Sequence, residues 1–146
     1  LGIGLYGIST NGDDSGRLEN VSTLRSTISQ IKKVKAGERV GYGQATLEKN
    51  ADIAIVPVGY ADGLDRRLGN GKSYLVVNGE KAPIVGSICM DMCMVDISHI
   101  KAKEGDPVII FGQERSISEL ADDLGTIPYE VMTSISGRVK RVYFQE

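Results

Sequence analysis

A mainly β domain is the fold this sequence predicts: a compact barrel or Greek-key-like closed sheet with one or two short helices. Three observations predict it. Short apolar or alternating runs recur along the 146 residues, separated by the turn signals Gly69-Asn70-Gly71, Asn78-Gly79 and Gly105-Asp106-Pro107. One run, Ala51 to Val58, is almost continuously apolar, as in a central strand. Only Ser116 to Gly125 carries a full set of helix start and stop signals.

Residues 1–10 alternate small and large side chains and lead into a polar loop, Asn11 to Gly16. Leu24 to Val34 spaces Leu24, Ile28, Ile31 and Val34 among polar residues; its Ser, Thr and Ile content favours a strand over a helix. Val34-Lys35-Ala36-Gly37-Glu38 makes a turn before a short extended piece, Arg39 to Tyr42. Ala51 to Val58 follows, with Pro57 marking a bulge or an edge near its end. Asn78-Gly79, between Tyr74–Val77 and Lys81–Val85, is the strongest hairpin signal in the chain.

Ile88 to Ile97 reads as a further strand, with Met90, Met92 and Met94 on one face and Cys89, Asp91, Cys93 and Val95 on the other. A methionine stripe of this kind usually means core packing. Val108 to Phe111 follows the Gly105-Asp106-Pro107 turn. Ser116 and Glu119 form a capping box, Ile117, Leu120, Ala121 and Leu124 make one apolar helical face, and Gly125 stops the helix. Pro128 suits the first position of a second short helix, and Arg138 to Phe144 reads as a closing strand.

The composition excludes several functions. A formal charge of -2, with charges nearly balanced, gives no footprint for nucleic acid or an anionic membrane. Two phenylalanines and no tryptophan supply no stacking platform for an oligonucleotide-binding barrel. No apolar run reaches the roughly 20 residues of a membrane helix. In one strand, Cys89 and Cys93 would lie about 13 Å apart on the same face, beyond the ~7 Å that a disulfide spans. Free thiols in a reducing cytoplasm are the preferred reading. The opening Leu-Gly-Ile-Gly, with no basic leader and no initiator Met, reads as a cut inside a longer polypeptide.

Two tyrosines stand at glycine-flanked ends of apolar runs. Tyr42 lies between Gly41 and Gly43; Tyr60 lies between Gly59 and Ala61, ahead of the Asp62-Gly63 turn. Bare backbone beside a phenol lets the ring and hydroxyl meet a partner at close range; a core tyrosine beside a bulge is the competing reading. Asp91, among apolar residues, is either a satisfied structural carboxylate or a site residue. Val40-Gly41-Tyr42-Gly43, Gly59-Tyr60-Ala61-Asp62-Gly63 and Ile88-Cys89-Met90-Asp91 occur in that order, preceded by Leu1-Gly2-Ile3-Gly4-Leu5-Tyr6-Gly7 and followed by Pro128-Tyr129-Glu130. Together these five motifs resemble the C-terminal domain of alanine racemase, a pyridoxal 5'-phosphate enzyme, over nearly the whole chain.

The resemblance implies a β domain over residues 1–146, in which 1–16 are the last strand end and loop of a preceding barrel. It implies a homodimer in the cytoplasm that interconverts L- and D-alanine for cell-wall precursors, with a small amino-acid substrate. Tyr42 would be one of two acid/base groups and would serve the neighbouring subunit; the other is the cofactor-holding lysine of the barrel domain. A phenol titrates near ~10, so a cation or hydrogen-bond donor must stabilise the phenolate. His99 sits in a polar, surface-like stretch, so that helper must come from outside this chain.

Met90 and Asp91 would lie near the substrate carboxylate of the partner's site, Tyr60 would narrow the entry, and Arg66 would stand on the outer channel, where a solvated surface arginine is the competing reading. Gly2, Ile3 and Tyr129 would hold the phosphate of the domain's own cofactor. The arginine that pairs with the cofactor's ring nitrogen would precede Leu1, and Ser87 stands where the family commonly has an arginine. The isolated domain is therefore expected to be inactive. A racemase of serine or another small amino acid and a non-catalytic dimerisation module are the alternatives.

Overall fold

The computed structural model describes residues 2–9, 18–42 and 45–144. Its sheet is antiparallel and built from β1 (Leu24–Thr27), β2 (Gln30–Val34), β5 (Ala51–Val56), β6 (Tyr74–Val77), β7 (Glu80–Val85), β8 (Cys93–Asp96) and β9 (Pro107–Phe111). These run in the order β1-β9-β6-β7-β8-β5-β2. The two edge strands are consecutive in the chain, so the sheet curls into a half-barrel. The single strand expected over Leu24 to Val34 is in fact bent at Ile28-Ser29. Ile28 N–H still bonds Asp106 O on the β9 side at 2.9 Å, whereas Ser29 N–H bonds Ile55 O on the β5 side at 2.9 Å. That switch lets one run of sequence supply both terminal strands, β1 against β9 and β2 against β5.

The interior is filled by the inward residues of these strands, among them Ala54, Val56, Leu75, Val77, Ala82, Ile84, Val95, Val108 and Ile110. Ile53 and Ala54 are both buried, which makes β5 a strand covered on two faces; it ends directly before Pro57, which has no N–H for the ladder. On the outer face, Val40, Ile53 and Met94 form a small second core beneath a two-stranded hairpin, β3 (Arg39–Val40) and β4 (Ala45–Thr46). The Asn78-Gly79 hairpin forms as the sequence indicates, with positive φ at both residues (50° and 80°).

Helix α1 (Ile117–Leu124) starts at the Ser116/Glu119 capping box and stops at Gly125 in the left-handed region. Helix α2 (Pro128–Ser134) has proline in its first turn and buries Val131. Arg115, ahead of α1, is wholly buried and ion-paired to Asp123 at 2.5 Å. Its guanidinium also bonds the hydroxyl of Ser73 and the carbonyl of Tyr74, and lies over the Tyr74 ring. Burial holds this arginine below its usual pKa, against the charge of Asp123. The cluster clamps α1 to the start of β6.

Several sequence expectations need correction. Residues Gly2–Tyr6 form a single 3-10 helix rather than a strand end; their glycines leave no side chains to pack along a pleated edge. The expected strand Ile88 to Ile97 shrinks to Cys93–Asp96, because residues 88–92 loop out to meet the Tyr60 turn. Met90 and Met92 are consequently exposed and only Met94 packs in the core, so there is no buried methionine stripe. The two cysteines do not share a strand: Cys93 is buried and Cys89 half-buried, both as free thiols. Arg138 to Phe144 is not a strand; it runs irregularly over the surface, anchored by side-chain bonds. The extended piece at Arg39 ends at Val40, where Gly41 turns the chain. Leu1, the loop over 11–16 and Gly43 lie outside the described residues.

Candidate active site

The β3–β4 hairpin presents Tyr42. Gly41 has φ +71°, a conformation that demands glycine, and a Cβ there would come 2.6 Å from the terminal methyl of Met94, which would have to move. The turn is thereby pressed onto the second core while the next side chain is thrown outward: Tyr42 is 92% exposed. Among the described residues its hydroxyl has no hydrogen-bond partner. The hairpin also abuts the segment leading to the Met90 loop, since a Cβ on Gly86 would meet Val40 O at 2.8 Å.

The turn over 59–64 and the loop over 88–92 are joined backbone to backbone. Tyr60 N–H donates to Cys89 O and Ala61 N–H to Met90 O, each at 3.0 Å. No side chain fits between them: a Cβ on Gly59 would stand 2.3 Å from both acceptor oxygens. Tyr60, Met90 and Asp91 are therefore neighbours, and all three are exposed. The Arg66 guanidinium lies 5.9 Å from the Tyr60 ring centroid, at the outer limit of a cation–π contact. The Met90 and Asp91 amides donate to no other described residue.

Arg138 was not singled out by sequence reasoning, and it ties this patch together. Its Nε donates to Asp62 Oδ1 at 2.7 Å and its Nη2 to Asp91 Oδ1 at 2.6 Å. Asp62 is the more buried carboxylate, its side chain 16% exposed, and its Oδ2 also accepts from Gly59 N–H at 2.9 Å. The hydrogen bond from Arg138 holds Asp62 below the usual carboxylate range against the opposing effect of burial, with the Gly59 amide adding to it. The two carboxylates in turn raise the pKa of Arg138. One signal was available: Asp62 and Asp91, both in glycine-rich or apolar turns, call for a shared cation.

A second patch holds Gly2, Ile3 and Tyr129. Gly2 is exposed with φ +40°, and a Cβ on it would stand 2.9 Å from the Tyr129 hydroxyl. Ile3 is buried and anchors the 3-10 helix in the main core. A tyrosine hydroxyl beside bare backbone can hold an anion, and Tyr129 is exposed at the start of α2. At the other end of α2, about 10 Å away at 1.5 Å per residue, Ser134 packs under Gly63, and Ser136 N–H bonds Asp62 O at 3.1 Å. One short helix thus connects the two patches. His99 is exposed in a turn with its ring at Lys81 O.

The model of the alanine racemase C-terminal domain matches residues 21–143. The chain belongs to the alanine racemase C-terminal domain family. It is 43% identical to alanine racemase of Helicobacter pylori strain J99, over 97% of this chain and 40% of that protein. It is 46% identical to alanine racemase of Clostridium novyi, over 99% of this chain and again 40% of the relative. The fold superimposes on the biosynthetic alanine racemase of Pseudomonas aeruginosa with a TM-score of 0.91 and 36% identity, covering 99% of this chain and 41% of that one. For the Bartonella henselae racemase, solved with covalently bound pyridoxal phosphate, the TM-score is 0.88 and the identity 35%, with 98% and 40% covered. The chain spans about 40% of the length of the racemases it matches.

Proposed function

We propose that this chain is the C-terminal part of a pyridoxal-phosphate-dependent alanine racemase, in which it supplies Tyr42 as an acid/base to the neighbouring subunit. The observation that carries this reading is Tyr42 itself, projected from a glycine turn with its hydroxyl unpartnered among the described residues. Within one folded domain such a phenol does nothing; against a second subunit it can hold or receive a proton. Racemisation needs proton removal on one face of the α-carbon and delivery on the other, hence two acid/base groups. Tyr42 is one, and a lysine on the preceding domain is the other.

The residues present fit the cofactor. The Tyr129 hydroxyl and the bare backbone at Gly2 make a cradle that a Cβ would fill, and a phosphate suits such donors. When bound, pyridoxal phosphate supplies an electron sink for the α-carbon. Met90 and Asp91 offer free amide N–H groups to a substrate carboxylate. Tyr60 and Arg66 crowd the approach beside them and favour a small side chain. On this reading one domain serves two sites: Gly2, Ile3 and Tyr129 its own, Tyr42, Met90 and Asp91 the partner's.

The test is Tyr42→Phe in the full-length protein, measured with alanine and with serine. Racemisation should fall about 10²–10⁴-fold, the usual worth of an acid/base group. Exchange of the α-hydrogen with solvent from one enantiomer should fall much less, because the lysine is intact. Wild-type racemisation by Tyr42→Phe would make Tyr42 structural; faster turnover of serine than alanine would change the substrate.

A further inference from the structure

Arg138 sits outside every motif that marks the family resemblance, yet it is the sole side chain described as joining the Tyr60 turn to the Met90–Asp91 loop. Its forked guanidinium reaches Asp62 on one and Asp91 on the other, at 2.7 and 2.6 Å. The charge arithmetic there is informative. Asp62 and Asp91 bring two negative charges to the loop that offers the Met90 and Asp91 amides, and an amino-acid substrate would add a third through its carboxylate. Arg138 is the one cation bonded to either aspartate among the described residues. Without it, the free amides would face an anion across an uncompensated Asp91.

We infer that Arg138 is a positioning residue for substrate binding: it fixes the Met90–Asp91 loop against the Tyr60 turn and offsets one of the two aspartate charges there, so that the loop amides can accept an anionic carboxylate. The inference rests on the function proposed above. Two geometric facts support it independently of that function. The fork is bidentate across two different loops, which a lysine cannot reproduce. Its backbone is also held: Ser136 N–H bonds Asp62 O at 3.1 Å, and the Arg138 N–H reaches Ser136 Oγ at 3.4 Å, so the side chain is delivered from a fixed segment. Arg138 is half-exposed and contributes nothing to the barrel core, so its removal should leave the fold intact.

The experiment compares wild type, Arg138→Ala and Arg138→Lys in the full-length protein. Arg138→Ala should raise KM for alanine about tenfold or more while kcat changes by less than about threefold, the split expected for lost binding rather than lost chemistry. Millimolar guanidinium should restore much of that loss in Arg138→Ala and do nothing to wild type. Arg138→Lys should remain impaired, because charge alone does not bridge both carboxylates. A readout independent of turnover is alkylation of Cys89, whose carbonyl accepts the Tyr60 amide: loosening the loop should speed it several-fold, and guanidinium should reverse this. An unchanged KM and an unchanged Cys89 rate in Arg138→Ala would overturn the inference, as would equal loss in kcat and kcat/KM without rescue. If wild type itself fails to racemise alanine, the proposed function falls; an unaltered Cys89 rate would then still overturn the positioning role.

Discussion

Adding one methyl group at Gly59 should pull apart the two loops that carry Tyr60 and Met90. A Cβ there would lie 2.3 Å from both Cys89 O and Met90 O, against 3.4 Å for ordinary contact, so the strands of backbone must separate by about 1.1 Å. The hydrogen bonds from Tyr60 and Ala61 to those same oxygens, now 3.0 Å, would stretch beyond useful length. Losing both costs about 1 kcal/mol each, and residual overpacking adds about 1–3 kcal/mol, for a total near 3–5 kcal/mol. At a urea dependence of about 2 kcal/mol per molar, the unfolding midpoint of Gly59→Ala should drop by about 2 M. Gly137→Ala is the control, since its Cβ would meet nothing within 4 Å, and it should stay within about 0.5 kcal/mol of wild type. In the full-length protein the displacement should also lower kcat/KM for alanine about 10²-fold. Equal urea midpoints for the two variants would refute the close approach on which the loop geometry depends.

Burial pushes the Cys93 thiol up to about 12, so at pH 8 iodoacetamide should label Cys93 only in denaturant while Cys89 is labelled in the folded chain; labelling of both at equal rates would contradict the β8 core. Because Arg138 depresses Asp62, the stabilisation is present above the ordinary aspartate value and is lost as pH falls through the lower folded value. Urea midpoints between pH 6 and pH 2 should therefore fall more steeply for wild type than for Arg138→Ala; parallel curves would show that the pair is not coupled to folding.

Much of this domain was legible from residues alone where local chemistry fixes local structure. The Asn78-Gly79 hairpin, the Ser116–Glu119 capping box, the Gly125 stop and Pro128 at the head of α2 each formed as read. What was not legible depended on distant partners. Leu24 to Val34 looks like one strand, and its bend at Ile28-Ser29 exists because β9 and β5 compete for its amides. Ile88 to Met92 has strand composition, but its backbone is taken by the Tyr60 turn. Arg138 to Phe144 alternates like a strand and finds no ladder among the described residues. The candidate site divides in the same way. Glycine-flanked Tyr42 and Tyr60 stood out as residues, whereas Arg138 acquires its importance only when Asp62 and Asp91, 29 positions apart in sequence, are brought to one guanidinium.

Subunit mixing tests most directly whether Tyr42 works across the boundary between two chains. A full-length variant lacking the cofactor lysine and one carrying Tyr42→Phe should each be nearly inactive alone. Co-assembled as a mixed dimer, they would place both lesions in one site and leave the other intact, so activity should return to about half of wild type per dimer. If each site were built from a single chain, both sites of the mixed dimer would carry one lesion, and no activity would return.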